Sequence, residues 1–93
     1  AVAQVAWLED SSLAVLRATN FPPLDNDQVY QLWLIKDNER VNGGTFSVDS
    51  AGCATVIFRP DQSLEQFDGM GITPEPKGGS PGPTAPAVVK AQL

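Results

Sequence analysis

The 93-residue chain has no histidine. That removes the commonest general base, a common zinc ligand and the side chain that titrates near neutral pH. Its single cysteine, Cys53, can close no internal disulfide and supply no metal cluster. Positive charge is scarce. Six Lys and Arg stand against eleven Asp and Glu, for a net charge of −5. The six (Arg17, Lys36, Arg40, Arg59, Lys77 and Lys90) are scattered along the chain. Binding DNA or RNA requires a basic face that releases counterions from phosphate, so the composition argues against a nucleic acid partner. An anionic membrane surface would repel the chain as well. No apolar run approaches the ~20 residues that cross a bilayer, and no leader peptide is visible. The first residue is Ala1 rather than methionine, which reads as a fragment whose targeting or membrane segment lies elsewhere in a longer protein.

Hydrophobic residues make up 42% and charged residues 18%, a composition that folds. The length is that of one domain, burying roughly 60–65% of its unfolded surface. Helical periodicity is weak throughout; short runs of strand composition alternate with turn residues. Val2 to Leu8 and Leu13 to Thr19 read as a hairpin about the polar turn Glu9-Asp10-Ser11-Ser12. Asn20 to Asp27 is a loop, since Pro22 and Pro23 do not fit a central strand. Val29 to Lys36 (VYQLWLIK) is the most apolar run. It carries Tyr30, Leu32 and Leu34 on one face and Val29, Trp33 and Ile35 on the other, as expected of a central strand covered on both sides. Asp37-Asn38-Glu39-Arg40 reads as a turn. Gly44 to Val48 and Cys53 to Arg59 read as a hairpin about Asp49-Ser50-Ala51-Gly52, with Gly52 placed for a positive φ. Pro60 to Asp68 reads as a loop with one helical turn near Ser63, Glu65 and Gln66. Gly69 to Thr73 and Ala87 to Leu93 complete the set. The expected fold is all-β: an antiparallel sandwich of about seven short strands, Greek-key and immunoglobulin-like.

Between Pro74 and Pro86 lie five of the eight prolines and three of the eight glycines. "GGSPGPT" lacks the G-x-x-x-x-G-K-[ST] of a phosphate loop. Pro83-Thr84-Ala85-Pro86 fits P-x-x-P without a basic neighbour close by. Lys77 and Ser80 do not make a nucleophile pair, because a lysine in a Pro/Gly turn is normally solvated. Asp25 and Asp27 lack calcium-loop spacing. Glu65, Asp68 and Glu75 fall on separate elements. Trp7, Trp33, Tyr30, Phe46 and Phe58 at strand positions read as core before sugar platform, and Cys53 as a buried apolar group on a strand. No catalytic set, metal site or cofactor site emerges.

Val29 to Ile35 (VYQLWLI), then Gly44-Thr45-Phe46, Gly52 and ITPEPKGGSPGPT (Ile72 to Thr84) together resemble the extracytoplasmic C-terminal domain of the anti-sigma-K factor family. The family pattern reads YqLWLi, a short G-t-F strand, and T-x-EP-x-GGS-x-x-PT. Tyr30, Gln31, Leu32, Trp33, Leu34, Gly44, Phe46, Thr73, Glu75, Pro76, Gly78, Gly79, Ser80, Pro83 and Thr84 fall on it. The resemblance spans residues 29–90, and the first 28 residues match in strand character alone. Pro74 departs from it, standing where an aliphatic residue is expected, and its missing N–H suggests a strand that stops at Thr73.

The resemblance implies a non-catalytic regulatory domain, one part of a membrane-anchored protein. The other parts would be a cytoplasmic domain that holds an extracytoplasmic-function sigma factor and a single transmembrane helix. This domain would lie on the periplasmic or outer face, and staged proteolysis beginning with a site-1-type protease would release the sigma factor. The alternative class is an immunoglobulin-like surface module that binds a peptide or glycan. Residues 74–86 are expected to be a rigid loop that carries the chain from an edge of the sandwich to the last strand. Within it, Gly78 and Gly79 would take positive φ and offer amides to an anion, while Glu75 turns back on those amides or on the Ser80 or Thr84 hydroxyl.

Overall fold

A computed structural model describes residues 1–7, 13–59 and 66–92. Its seven strands among the described residues are β1 (Val2–Trp7), β2 (Ala14–Thr19), β3 (Gln28–Lys36), β4 (Glu39–Phe46), β5 (Ala54–Phe58), β6 (Gly69–Pro76) and β7 (Val89–Gln92). They form two antiparallel sheets, ordered β1-β2-β5 and β4-β3-β6-β7. The chain crosses between sheets after β2, after β4 and again after β5, giving the Greek-key sandwich of immunoglobulin-like type. No helix among the described residues is long and apolar enough to cross a membrane.

Alternation builds the core. Ala14, Leu16 and Ala18 of β2 point inward with Phe58 of β5, against Tyr30, Leu32 and Leu34 of β3, Phe46 of β4, and Met70 and Ile72 of β6. The 20–27 loop adds Phe21, whose ring meets Tyr30 edge-on with centroids 5.0 Å apart. The Tyr30 hydroxyl donates to the Pro22 carbonyl at 2.5 Å, and burial pushes its phenol pKa up, so it stays a donor.

Several expectations change in detail. The turn after β3 is only Asp37-Asn38, both at positive φ, and β4 therefore starts at Glu39. The expected Gly44–Val48 strand is the end of this same β4, which stops at Phe46. β4 and β5 are not a hairpin: β4 pairs with β3 and β5 with β2, so residues 47–53 carry the chain across the sandwich. Gly52 takes the positive φ expected of it (78°), but its carbonyl accepts the Phe21 amide at 3.0 Å, which ties two inter-sheet loops together. Cys53 lies just before β5 and is half-buried rather than buried.

Pro74 does not end β6. The strand continues to Pro76, pairing with β3 as far as Gln28. Residues two apart point their backbone groups to the same side of a strand, and the Ile72 carbonyl accepts the Val88 amide on the β7 side. The N–H that Pro74 lacks would face that same side, beyond the last β7 pairing at Ile72, so no ladder bond is lost. The β1–β2 turn, most of the 60–68 segment with its proposed helical turn, and Leu8 and Leu93 lie outside the described residues.

Candidate functional site

The outer face of the four-stranded sheet carries a second layer. Residues alternating with the core set point outward here: Gln31 and Trp33 on β3, Thr73 and Glu75 on β6. Their register pairs are Gln31↔Thr73 and Trp33↔Gly71. All four are buried, Gln31 and Glu75 at 0% exposure. They are covered by residues 77–88, a strap fixed at its start by the Lys77 amide on the Asp27 carbonyl (2.8 Å) and at its end by Val88 on Ile72 (2.8 Å). The strap leaves β6, an interior strand, not an edge. Gly79 sits over Gln31 and Thr45 towards β4 before the chain returns to β7.

Hydrogen bonds under the strap run in a fixed direction. The Trp33 indole can only donate, and does so to Thr73 Oγ1 at 2.8 Å. The Thr73 hydroxyl in turn donates a hydrogen bond to Glu75 Oε2 at 2.5 Å. From the strap, the Thr84 hydroxyl donates to Oε1 (2.5 Å) and the Thr84 amide to Oε2 (3.1 Å). Every partner is a donor, which suits an ionised carboxylate. Burial by itself raises the Glu75 pKa, but the bonds from Thr73, the Thr84 side chain and amide, and the Ser80 hydroxyl outweigh it, and the net displacement is downward. No basic side chain contributes. Beside this carboxylate, Gln31 spreads its amide across the Ser80 backbone, accepting from Ser80 N (2.9 Å) and donating to Ser80 O (3.1 Å). A side chain thus makes the two-bond exchange of an antiparallel pair.

The motif residues divide into two groups. Tyr30, Leu32, Leu34 and Phe46 are sandwich core, and Gly44 stands at the β3–β4 bulge with φ 121°. Gln31, Trp33, Thr73, Glu75, Ser80 and Thr84 converge under the strap, while Pro76, Gly78 and Gly79 turn the chain into it and Pro83 lies near Trp33. Gly78 and Gly79 have positive φ (98° and 84°), but the Gly79 amide bonds the Pro76 carbonyl at 2.9 Å rather than an anion. Glu75 accepts from the Thr73 and Thr84 hydroxyls and the Thr84 amide, not from the glycine amides. Asp68 serves elsewhere, taking the Asp37 amide at 3.1 Å. Among the described residues no three acidic or cysteine side chains gather for a metal. The pairing of Gln31 with Ser80 and of Trp33 with Thr73 is not legible in the sequence. Its one trace is a glutamine at an outward position of an otherwise apolar strand.

The family model described as "Anti-sigma-K factor rskA, C-terminal" matches residues 1–88, the β1–β2 hairpin and the strap included. The chain belongs to this family. It is 31% identical over 91 residues to a protein named Anti-sigma-K factor RskA from Mycolicibacterium vanbaalenii, covering 98% of this chain and 37% of that protein. A Streptomyces griseus protein named for its place in the phr 5' region is 30% identical over 80 residues, covering 86% of this chain and 32% of its own length. The chain thus spans about a third of these relatives. No solved structure matches it significantly.

Proposed function

We propose that the chain is the extracytoplasmic, non-catalytic sensory domain of a membrane-anchored anti-sigma factor. Through it, proteolytic release of an extracytoplasmic-function sigma factor is controlled. The observation that carries this reading is the family match that runs from β1 through the strap, over residues 1–88. In this mechanism the folded sandwich shields a segment near the membrane from site-1-type cleavage, and loosening or occupying the domain changes that shielding. The sigma factor is held by another part of the protein. Of the aromatics that a peptide- or glycan-binding module would display, Tyr30, Trp33, Phe46 and Phe58 are buried, which favours the regulatory reading, and the Trp7 side chain lies outside what the structure describes.

Trp33→Ala in the full-length protein tests this. Truncating a buried tryptophan costs about 3–5 kcal/mol, a large share of the ~5–15 kcal/mol that holds a domain together. The expected result is constitutive expression of a sigma-dependent reporter, with the anti-sigma factor cleaved without signal. A reporter that stays silent although the variant domain is unfolded would overturn the reading.

A further inference from the structure

A cleft of about 330 Å³ opens beside the strap, on the outer face of the four-stranded sheet. Its floor is β3 and β6, with Trp33, Ile35 and Gly71, and its wall is the strap at Pro83, Ala85 and Pro86. Arg40 of β4 and Lys90 of β7, from the two edges of the sheet, both reach it. Neither side chain has an ion-pair or hydrogen-bond partner among the described residues. In a chain with six cations and eleven acids, two such cations lining one cleft are a local concentration of positive charge beside its apolar floor.

Gly71 makes the cleft. Its φ is not positive, and a Cβ there would meet only the Val89 carbonyl oxygen, at 3.7 Å. Neither backbone nor packing requires glycine at this position. Glycine weakens a strand interior, and where neither reason applies it marks a place where something approaches the backbone closely. The volume lies at the small end of small-molecule sites, which begin near about 300 Å³, and is too little for a folded partner.

We propose that this cleft binds a small apolar carboxylate. The acid group lies between Arg40 and Lys90, and the apolar body lies over Gly71 against Ile35 and the strap prolines. Such a ligand bridges the strap to both edges of the sheet. The site stands whether or not the anti-sigma reading does.

The test is a titration of the ¹⁵N-labelled 93-residue chain, followed by its amide and indole resonances. Octanoate and 3-phenylpropionate are the probes, with octylamine and inorganic phosphate as controls for apolar body alone and anion alone. Saturable shifts at Gly71, Lys90 and the Trp33 indole are expected with at least one carboxylate, and not with octylamine or phosphate. The double variant Arg40→Ala/Lys90→Ala leaves Tm unchanged and weakens binding about tenfold or more. Gly71→Val, which fills the floor with a strand-favouring side chain, abolishes binding in a protein whose spectrum remains dispersed. The proposal is overturned if neither carboxylate gives saturable shifts, if octylamine moves the same resonances equally, or if the double variant binds as the parent does.

Discussion

Glu75 and Thr84, nine residues apart, close a loop on themselves: the Thr84 hydroxyl holds Glu75 Oε1 at 2.5 Å and its amide holds Oε2 at 3.1 Å. That clasp makes a proline-and-glycine segment part of the fold. Prolines lower the entropy lost when the segment orders, and the clasp sets where it lies. The result is a domain with two interiors, an apolar one between the sheets and a polar one between sheet and strap.

Removing the carboxylate leaves the Thr73 hydroxyl without its acceptor in a buried site and releases Thr84. Hydrogen bonds to a charged group are the stronger kind, so Glu75→Ala is expected to cost about 2–3 kcal/mol. In a domain of this size that lowers Tm by roughly 10–20 °C. Thermal unfolding measures it directly. An unchanged Tm would mean that the clasp contributes nothing to stability.

The depressed Glu75 pKa makes stability depend on pH, and the sign follows from linkage. The folded carboxylate binds its proton more weakly than the unfolded one. Above the ordinary glutamate range, near about 4.3, both are ionised and the contribution is complete. As pH falls below that, the unfolded chain takes up the proton first and stability declines, until the folded carboxylate also protonates. Urea unfolding from neutral pH down to about 3 should therefore show a fall that is shallower in Glu75→Gln. Equal slopes in the two proteins would place the acid sensitivity elsewhere.

Two glycines with similar backbone angles should respond differently to alanine. Gly52 (φ 78°) has no room: a Cβ would lie 2.5 Å from the Phe21 carbonyl oxygen and 2.8 Å from its amide nitrogen. Both are backbone atoms, so the two loops would have to separate and lose their hydrogen bond. A loss of roughly 3 kcal/mol or more is expected. Gly78 (φ 98°) has nothing within 4 Å, so Gly78→Ala carries only the left-handed backbone penalty of about 1–2 kcal/mol. Comparing the two urea midpoints at equal m-values tests the difference. Equal midpoints would show that the Phe21 contact yields easily.

The strands are legible because their side chains alternate. Val29 to Lys36 shows both faces in its sequence, and it is the central strand, paired with β4 and β6 and covered by the strap. Pairing is harder to read. Asp49 to Gly52 has the local chemistry of a hairpin, with Asp49 Oδ1 taking the Ala51 and Cys53 amides at 2.9 Å. What sends β5 to the other sheet is its match to β2 and the packing of Phe58 into the core, contacts dozens of residues away. Pro74 misleads for a related reason: the lost N–H matters only on a side that has a neighbour, and sequence does not say which side that is. Of the groups that hold the strap, Glu75 on β6 and Ser80 and Thr84 in the strap are visible through local spacing. Gln31 and Trp33 are not, because their partners lie 49 and 40 residues on.

Gln31 offers a local test of the strap. Its amide replaces a strand rung at Ser80, but Ser80 is only half-buried, so water can take over part of the role in Gln31→Ala. The expected global cost is small, about 1 kcal/mol. The opening of the strap should change more, since segments held by few bonds exchange through local rather than global unfolding. Hydrogen exchange at the Ser80 amide should speed up clearly in Gln31→Ala while amides in β2 keep their protection. Equal acceleration at both would show that the strap opens only when the whole sandwich does. In that case it could not respond to a signal on its own, and any loosening that exposes the protein to a protease would have to be global.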